Sequence, residues 1–221
     1  MLTVLITGAS SGIGEAIYNL YKEKGYRIIA PTIDDLDLSD RESVLSFIEK
    51  HKEEKIDILI NDAGVNFVND IENVNLRDLD YMMSVNLFGP ILLLKAFVPS
   101  MKKNKFGRIV NICSIWSQIS RPGRSIYSAT KRGLSGITET LAVELAKDNI
   151  IVNSVSPGFT LTELTRRTNT PDEIKTINEK IPLGRMADPQ EIARVVFFLG
   201  NENNTYLTGQ NITVDGGFTK I

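Results

Sequence analysis

Short apolar runs alternate along the chain with longer stretches whose apolar residues recur at helical spacing. The runs span residues 3–7, 27–30, 56–60, 108–112, 150–155 and 211–214. Each run is nearly continuous in apolar character, which is typical of strands that are buried on both faces of a sheet. The pattern therefore predicts an α/β fold with a doubly wound, mostly parallel sheet and helices on both of its faces.

The stretch after the second predicted strand is unusually short. Residues 30–37 number only eight, whereas a parallel crossover that includes a helix needs at least about 10 to 12 residues. The next helix has its own start signal at residues 39–42, where Ser39 can cap the helix and Glu42 can complete a capping box. We therefore expect six strands rather than seven, and one domain over residues 1–221.

Composition and charge narrow the possible partners. Apolar residues make up 42% of the 221 residues, and the net charge is −2 with no run of five like charges. These values predict no nucleic-acid or membrane partner. The most apolar region, residues 91–94, is followed by Lys95, so we expect no membrane-spanning helix. Only residues 1–3 precede Val4, the first of the apolar residues in the first run, and Cys113 has no second cysteine to pair with, which favours a cytoplasmic protein without a signal peptide.

A glycine-rich turn follows the first predicted strand. Residues 7–14 read TGASSGIG and lead into a predicted helix. Glycines in this place let the backbone turn tightly and approach a pyrophosphate, whose charge is stabilised by free N–H groups at the start of the helix. The alternative is a tight turn that binds nothing, and the buried strand that precedes the turn favours a dinucleotide site.

Tyr127 and Lys131 form a second signal. Their i, i+4 spacing puts both side chains on one face of a predicted helix. An ammonium beside a phenol lowers the pKa of the phenol from its usual value of about 10, which suits general acid and base catalysis near neutrality. Taken alone, the pair would more readily be interpreted as two surface residues on a helix. Ser114, at the carboxyl end of the run 108–112, and Asn86 upstream strengthen the catalytic interpretation.

Together these motifs resemble those of the short-chain dehydrogenase/reductase family, in particular its single-domain 3-oxoacyl-acyl-carrier-protein reductases. Besides the glycine turn, the chain carries NDAG at 61–64, NSVSPG at 153–158, IPLGRM at 181–186 and VDGG at 214–217. The resemblance covers nearly the whole chain. It implies a single Rossmann domain, a homotetramer or homodimer, and an NAD- or NADP-dependent oxidoreductase that acts on a carbonyl or secondary alcohol.

The resemblance also implies a catalytic set, which consists of Asn86, Ser114, Tyr127 and Lys131. Tyr127 would exchange a proton with the substrate oxygen, and Ser114 would hold that oxygen nearby. Lys131 would bind the nicotinamide ribose, and Asn86 would anchor a water that connects Lys131 to solvent. Cys113 has no activating base nearby in the sequence, and we expect it to be a packed side chain.

The cofactor-binding residues that the resemblance implies are spread along the chain. They are Gly8, Ser10, Ser11, Gly12, Ile13, Gly14, Asp37, Leu38, Asn61, Ala63, Gly64, Tyr127, Lys131, Pro157, Gly158, Thr160 and Thr162. Asp62 replaces the family's second Asn. Asp34 or Asp35 would accept a hydrogen bond from the ribose 2′-OH of NAD, and no basic residue near them would bind the 2′-phosphate of NADP, so we expect a slight preference for NAD. No metal is expected.

The substrate itself cannot be named from the sequence. Residues 161–181 match the family's variable substrate lid. Trp116 lies at the start of a predicted substrate loop, where its side chain would either form a wall of the substrate pocket or pack in the core. Asp148 would repel an acidic carrier protein, which argues against fatty-acid elongation and leaves small ketones, hydroxy acids and sugar derivatives open. Two alternative functions are a non-catalytic cofactor-binding regulatory protein and a sugar-nucleotide-modifying enzyme, although the chain has little room for a separate substrate domain.

Overall fold

A single parallel sheet organises the fold in the computed structural model, which describes residues 1–221. The strands are β1 (Thr3–Thr7), β2 (Arg27–Ile29), β3 (Ile58–Asn61), β4 (Gly107–Ile112), β5 (Ile150–Pro157) and β6 (Asn211–Val214). The helices are α1 (Gly12–Glu23), α2 (Arg41–His51), α3 (Leu76–Met83), α4 (Gly89–Asn104), α5 (Ser125–Leu145), α6 (Glu163–Thr168), α7 (Pro171–Glu179) and α8 (Pro189–Gly200). The strand order is β2-β1-β3-β4-β5-β6 and every neighbouring pair is parallel, which confirms the predicted fold class and the six strands.

The core lies in two layers, one on each face of the sheet. Alternate strand residues serve the two layers, as in β1, where Leu5 packs with α2, α4 and α5 while its neighbour Ile6 packs with α1 and α8. Because both faces are covered, the strands are apolar at nearly every position. Polar residues lie at the carboxyl ends of the strands, for example Thr7 in β1, Asn61 in β3 and Asn111 in β4.

The short connection after β2 contains no strand and no helix of its own. It turns at Thr32, whose carbonyl accepts from the N–H of Leu36 at 2.9 Å, and then runs directly to α2. The predicted cap of α2 was wrong by one residue. Asp40 caps the helix by accepting from the N–H of Glu42 at 2.9 Å, because Ser39 is engaged by the Asp37 carboxylate through its N–H and its hydroxyl.

The long helical stretch Leu76–Asn104 bears on the expectation that no helix spans a membrane. It combines α3, a π-helical turn at Ser84–Phe88 and α4, and by length and composition alone it could cross a membrane, with a mean hydropathy of 1.5 in its most apolar window. This is weak evidence for a span, because Leu93, Phe97 and Met101 are buried in the core. Residues 91–94 form the longest apolar run in this stretch, and the apolar residues that face the sheet recur one or two turns apart beyond it.

Candidate active site

The turn between β1 and α1 is so tight that its glycine positions have no room for a side chain. Gly8 and Gly12 have positive φ angles of 75° and 59°. A Cβ at Gly14 would lie 2.1 Å from the carbonyl oxygen of Gly8, which no real Cβ could tolerate. The turn therefore requires glycine at these positions, and it presents its backbone at the carboxyl edge of the sheet, at the start of α1.

A continuous groove crosses this edge in two parts. Ser11, Asp62, Gly64 and Val65 line both parts. The adenosine-side part, named for the cofactor end that the sequence predicts there, is also lined by Gly8, Ser10, Asp37, Leu38 and Ala63. The other, the catalytic part, is also lined by Gly12, Ile13, Ser114, Tyr127, Lys131, Pro157, Gly158, Thr160 and Thr162. Most of the residues predicted from the sequence thus meet in one groove.

Gly14, Asn61 and Asn86 line neither part of the groove. All three are buried. Asn61 donates to the side-chain oxygen of Asn111 at 2.8 Å, and Asn111 donates in turn to Thr138 at 2.9 Å. Asn61 thus links the end of β3 to β4 and is not part of the groove lining.

Tyr127, Lys131 and Ser114 face one another in the catalytic part. Lys131 is only 3% exposed, and its ammonium donates to the carbonyl oxygen of Ile112 at 2.8 Å. The same nitrogen lies 5.8 Å from the centre of the Tyr127 ring. Ser114 starts a short 3₁₀ turn, and its Oγ accepts from the N–H of Trp116 at 3.3 Å. A cation, a phenol and a hydroxyl therefore converge at the end of β4.

Asn86 ties the groove to α5 from below. It lies in the π-helical turn and is fully buried. Its amide accepts from the N–H of Val65 and donates to the carbonyl of the same residue, both at 2.8 Å. It also donates to the Thr130 hydroxyl at 3.3 Å, and Thr130 donates to the carbonyl of Tyr127 at 2.8 Å. Asn86 thus connects the groove floor with the turn of helix that carries Tyr127.

Asp62 lines both parts of the groove, although the sequence assigned it no role. Burial raises the pKa of its carboxyl to about 7, against the opposing effects of the Lys131 ammonium and the backbone of Gly14. Thr7 fixes the local backbone, since its hydroxyl accepts from the N–H groups of Asp62 and Ala63, each at 3.2 Å. The departure from the family's Asn at this position was the signal that could have identified Asp62.

The adenosine-side part corrects the expectation for Asp34 and Asp35. Neither residue lines it, and Pro31, Thr32 and Ile33 lie there instead. Asp35 turns back to accept from the Thr32 hydroxyl at 3.0 Å. The ribose contact that favoured NAD therefore has no support from these carboxylates. No lysine or arginine lines this part either.

The predicted lid begins on the far side of the groove. Thr162 caps α6 by accepting from the N–H of Thr165 at 3.2 Å, and its methyl group lies 3.2 Å from where a Cβ of Gly12 would be. The lid thus contacts the glycine turn across the groove. Cys113 is 3% exposed and burial raises the pKa of its thiol to about 11, in keeping with a packed and unreactive side chain.

Asp148 is not the free surface charge that the sequence suggested. It is 6% exposed and forms an ion pair with Lys105, which lowers the pKa of its carboxyl. Because Lys105 neutralises this charge, the expected repulsion of an acidic carrier protein loses its basis.

The chain has clear relatives among known proteins. Residues 32–219 match a family model described as enoyl-(acyl carrier protein) reductase. A 3-oxoacyl-[acyl-carrier-protein] reductase FabG of Thermotoga maritima is 36% identical over 96% of both chains. A solved structure described as "ElxO with NADP Bound" superposes with a TM-score of 0.92 at 27% identity, covering 100% of this chain and 99% of that one.

A further solved structure, described as a "short chain dehydrogenase/reductase family protein", has a TM-score of 0.87 at 30% identity and covers 99% of this chain and 97% of that one. The family match and the full-length relatives agree with the glycine turn and the groove described above. The chain belongs to the short-chain dehydrogenase/reductase family and is an NAD(P)-dependent oxidoreductase.

Proposed function

We propose that the protein interconverts a carbonyl compound and the corresponding secondary alcohol, with Tyr127 as the general acid and base. The observation that carries the proposal is the convergence of Tyr127, Lys131 and Ser114 in the groove that continues from the glycine turn. In the reducing direction the carbonyl carbon accepts a hydride, which the nicotinamide supplies when bound. The Tyr127 hydroxyl donates the proton to the carbonyl oxygen, so the product is the neutral alcohol.

Ser114 and Lys131 support this proton transfer. The Ser114 hydroxyl is held at the end of β4 by the turn it caps, where it can donate to the substrate oxygen and orient it toward Tyr127. Lys131 is a buried cation with its ammonium anchored on Ile112, and it would bind the nicotinamide ribose. Asn86 would act through the backbone of Val65 and through Thr130 rather than by touching substrate.

The glycine turn fits a dinucleotide. Its positive φ angles and the exclusion of a Cβ at Gly14 leave backbone N–H groups free to face a pyrophosphate. For the choice between cofactors, we propose NAD, because no lysine or arginine lines the adenosine-side part to meet a 2′-phosphate. The ElxO structure has NADP bound, so NADPH is the comparison to be measured.

We further propose that residues 1–221 act as one domain in a cytoplasmic homotetramer or homodimer. An apolar groove between α4 and α5, here called the α4/α5 groove, supports assembly; Ile91, Leu94, Val98, Ile137 and Leu141 line it. A buried, unpaired Cys113 fits a reducing compartment. The FabG relative directs the first substrate tests to 3-oxoacyl compounds.

The test combines cofactor binding with turnover. Purified protein is titrated calorimetrically with NADH and NADPH, and a panel of 3-oxoacyl esters, ketones and secondary alcohols is then followed by nicotinamide absorbance. The proposal predicts saturable cofactor binding, tighter for NADH, and turnover of at least one carbonyl compound. Binding without turnover of any carbonyl compound or alcohol would favour the non-catalytic regulatory alternative.

A further inference from the structure

Arg124, at the start of α5, has a guanidinium without a partner. Its Nε and Nη1 atoms are closed off from solvent, and neither makes a hydrogen bond. Burial lowers the pKa of this side chain below its ordinary value, although an arginine stays protonated in proteins. Buried polar groups are nearly always paired, and a charged donor left unpaired is costly, so this group requires an explanation.

Arg124 precedes the helix that carries Tyr127 into the catalytic part of the groove. Its guanidinium carbon lies 5.8 Å from the centre of the Trp116 ring. Trp116 is 8% exposed and meets Phe159 edge-on with 6.4 Å between ring centres. Tyr127 follows three residues later, in the first turn of α5, which begins directly after Arg124. A fixed positive charge thus lies against aromatic walls, next to the proposed proton donor.

The charged residues near Arg124 neither pair with it nor share its lack of an acceptor. Arg132, on the same helix, donates from Nε to the carbonyl of Ser117 at 3.2 Å and so has an acceptor of its own. Arg121, in the same loop, is exposed to water. Asp70 lines the same surface cavity as Arg124, yet the two form no ion pair. Of these three arginines, only Arg124 has guanidinium nitrogens, Nε and Nη1, that are closed off from solvent and have no acceptor.

We propose that Arg124 binds the carboxylate of a short oxo acid whose keto group is held at Tyr127 and Ser114, so that the preferred substrates are anionic. This inference rests on the proposed function, because it assigns the substrate class of the same site. A guanidinium matches a planar carboxylate through two parallel hydrogen bonds. A neutral ketone would leave the buried donors unpaired, so the site discriminates against it.

Trp116 allows the binding step to be measured without turnover. It is the only tryptophan of the chain, and the Arg124 guanidinium lies over its ring. Acetoacetate and its methyl ester are titrated against tryptophan fluorescence in the presence of the oxidised cofactor, which cannot reduce them. A saturable change with acetoacetate and none with the ester is expected, and this change should be lost in Arg124→Gln and kept in Arg121→Gln. An equal response to the ester, or an unchanged response in Arg124→Gln, would overturn the proposal.

A titration with inorganic phosphate tests whether the Arg124 site prefers a carboxylate or a phosphate. Inorganic phosphate is titrated under the same conditions, and weaker binding than that of acetoacetate is expected. Phosphate binding that is as tight and that is also lost in Arg124→Gln would overturn the carboxylate assignment and indicate a phosphate site instead.

Kinetics provide the second measurement. Losing charged hydrogen bonds of this kind should lower kcat/KM for acetoacetate by about 10- to 100-fold in Arg124→Gln. The ester should change by less than about 3-fold, and Arg121→Gln should have a similarly small effect on both compounds. An equal loss on acid and ester would overturn the proposal in favour of a structural role for Arg124. If no carbonyl compound is turned over but the fluorescence response persists, the proposed function fails while the carboxylate site stands.

Discussion

The side-chain amide of Asn86 bonds both backbone polar groups of Val65, accepting from its N–H and donating to its carbonyl at 2.8 Å each. Val65 lines both parts of the groove. One fully buried side chain therefore fixes the strip of backbone where the two ends of a dinucleotide would meet, and the same side chain reaches α5 through Thr130.

Replacing Asn86 with alanine should weaken both stability and cofactor binding. The change leaves two backbone groups of Val65 without their partner, and each unpaired group costs about 1–3 kcal/mol when buried. The melting temperature should fall by several degrees, and the cofactor Kd should rise with it. Asn86→Asp keeps the acceptor for the Val65 N–H but turns a carboxylate oxygen toward the Val65 carbonyl, so it should also melt below the wild type. Equal melting of the alanine variant and the wild type would contradict this account of Asn86.

Gly14→Ala should weaken cofactor binding by displacing the turn between β1 and α1. The new Cβ would lie 2.1 Å from the carbonyl oxygen of Gly8, so the turn must shift. We expect the cofactor Kd, measured by calorimetry, to rise at least about tenfold, which corresponds to about 1.4 kcal/mol.

Gly136→Ala is the matched control for Gly14→Ala. Gly136 is exposed in α5 and a Cβ there meets nothing within 4 Å, so this variant should keep cofactor affinity and gain about 0.5–1 kcal/mol of stability. Unchanged cofactor affinity in Gly14→Ala would show that the turn does not contact the cofactor.

Asp62 should make stability depend on pH in the opposite sense to an ordinary salt-bridged acid. Its pKa of about 7 in the folded chain exceeds the ordinary value of 3.8. The folded state therefore holds the proton more tightly, and the resulting stability is full below about pH 4 and is lost as the pH rises to about 7. Asp62→Asn should be about as stable as the wild type at pH 4 and more stable at pH 8. The difference in the free energy of unfolding at pH 8 should be at most about 4 kcal/mol.

Glu191→Gln provides a comparison of opposite sign for this experiment. A hydrogen bond from Arg185 lowers the pKa of Glu191 to about 2, so the stability that Glu191 adds is present above its ordinary pKa and is lost as the pH falls toward 2. The glutamine variant should therefore be the less stable protein near neutral pH. If Asp62→Asn were less stable than the wild type at pH 8, the ionised carboxylate would be stabilising and the assignment would be wrong.

Assembly should depend on the α4/α5 groove. Leu141→Asp puts a charge among its apolar residues and should convert a dimer or tetramer to a smaller species in light scattering at micromolar concentration. Leu45→Asp, at a partly exposed position on α2, should leave the mass unchanged. A monomeric wild type would refute the proposed assembly.

The sequence could predict what depends on local pattern. Continuous apolar runs and a short connection after residue 29 were enough for six parallel strands, and the order of the motifs led to the groove. The cap of α2 could not be predicted, because it depends on Asp37 engaging Ser39. Asp35 likewise turned toward Thr32 rather than toward the groove, a choice made by the loop's own hydrogen bonds.

Charges whose partners are distant in sequence were also misjudged. Asp148 was expected to repel an acidic partner, but the fold brings Lys105 to it. The lack of an acceptor for the Nε and Nη1 atoms of Arg124 likewise depends on the fold around it. Burial and pairing are properties of the folded chain, so their effects on Asp62 and Arg124 appear only in three dimensions.

The central claim is that Tyr127 transfers the proton in a hydride-transfer reaction, and Tyr127→Phe tests it most directly. The substitution removes one hydroxyl and keeps the ring beside Lys131. Turnover of the best carbonyl substrate and calorimetric cofactor binding are measured on the same preparation. We predict that kcat falls by about 10²- to 10⁴-fold while the cofactor Kd changes by less than about 3-fold. A variant that keeps wild-type kcat would contradict the claim.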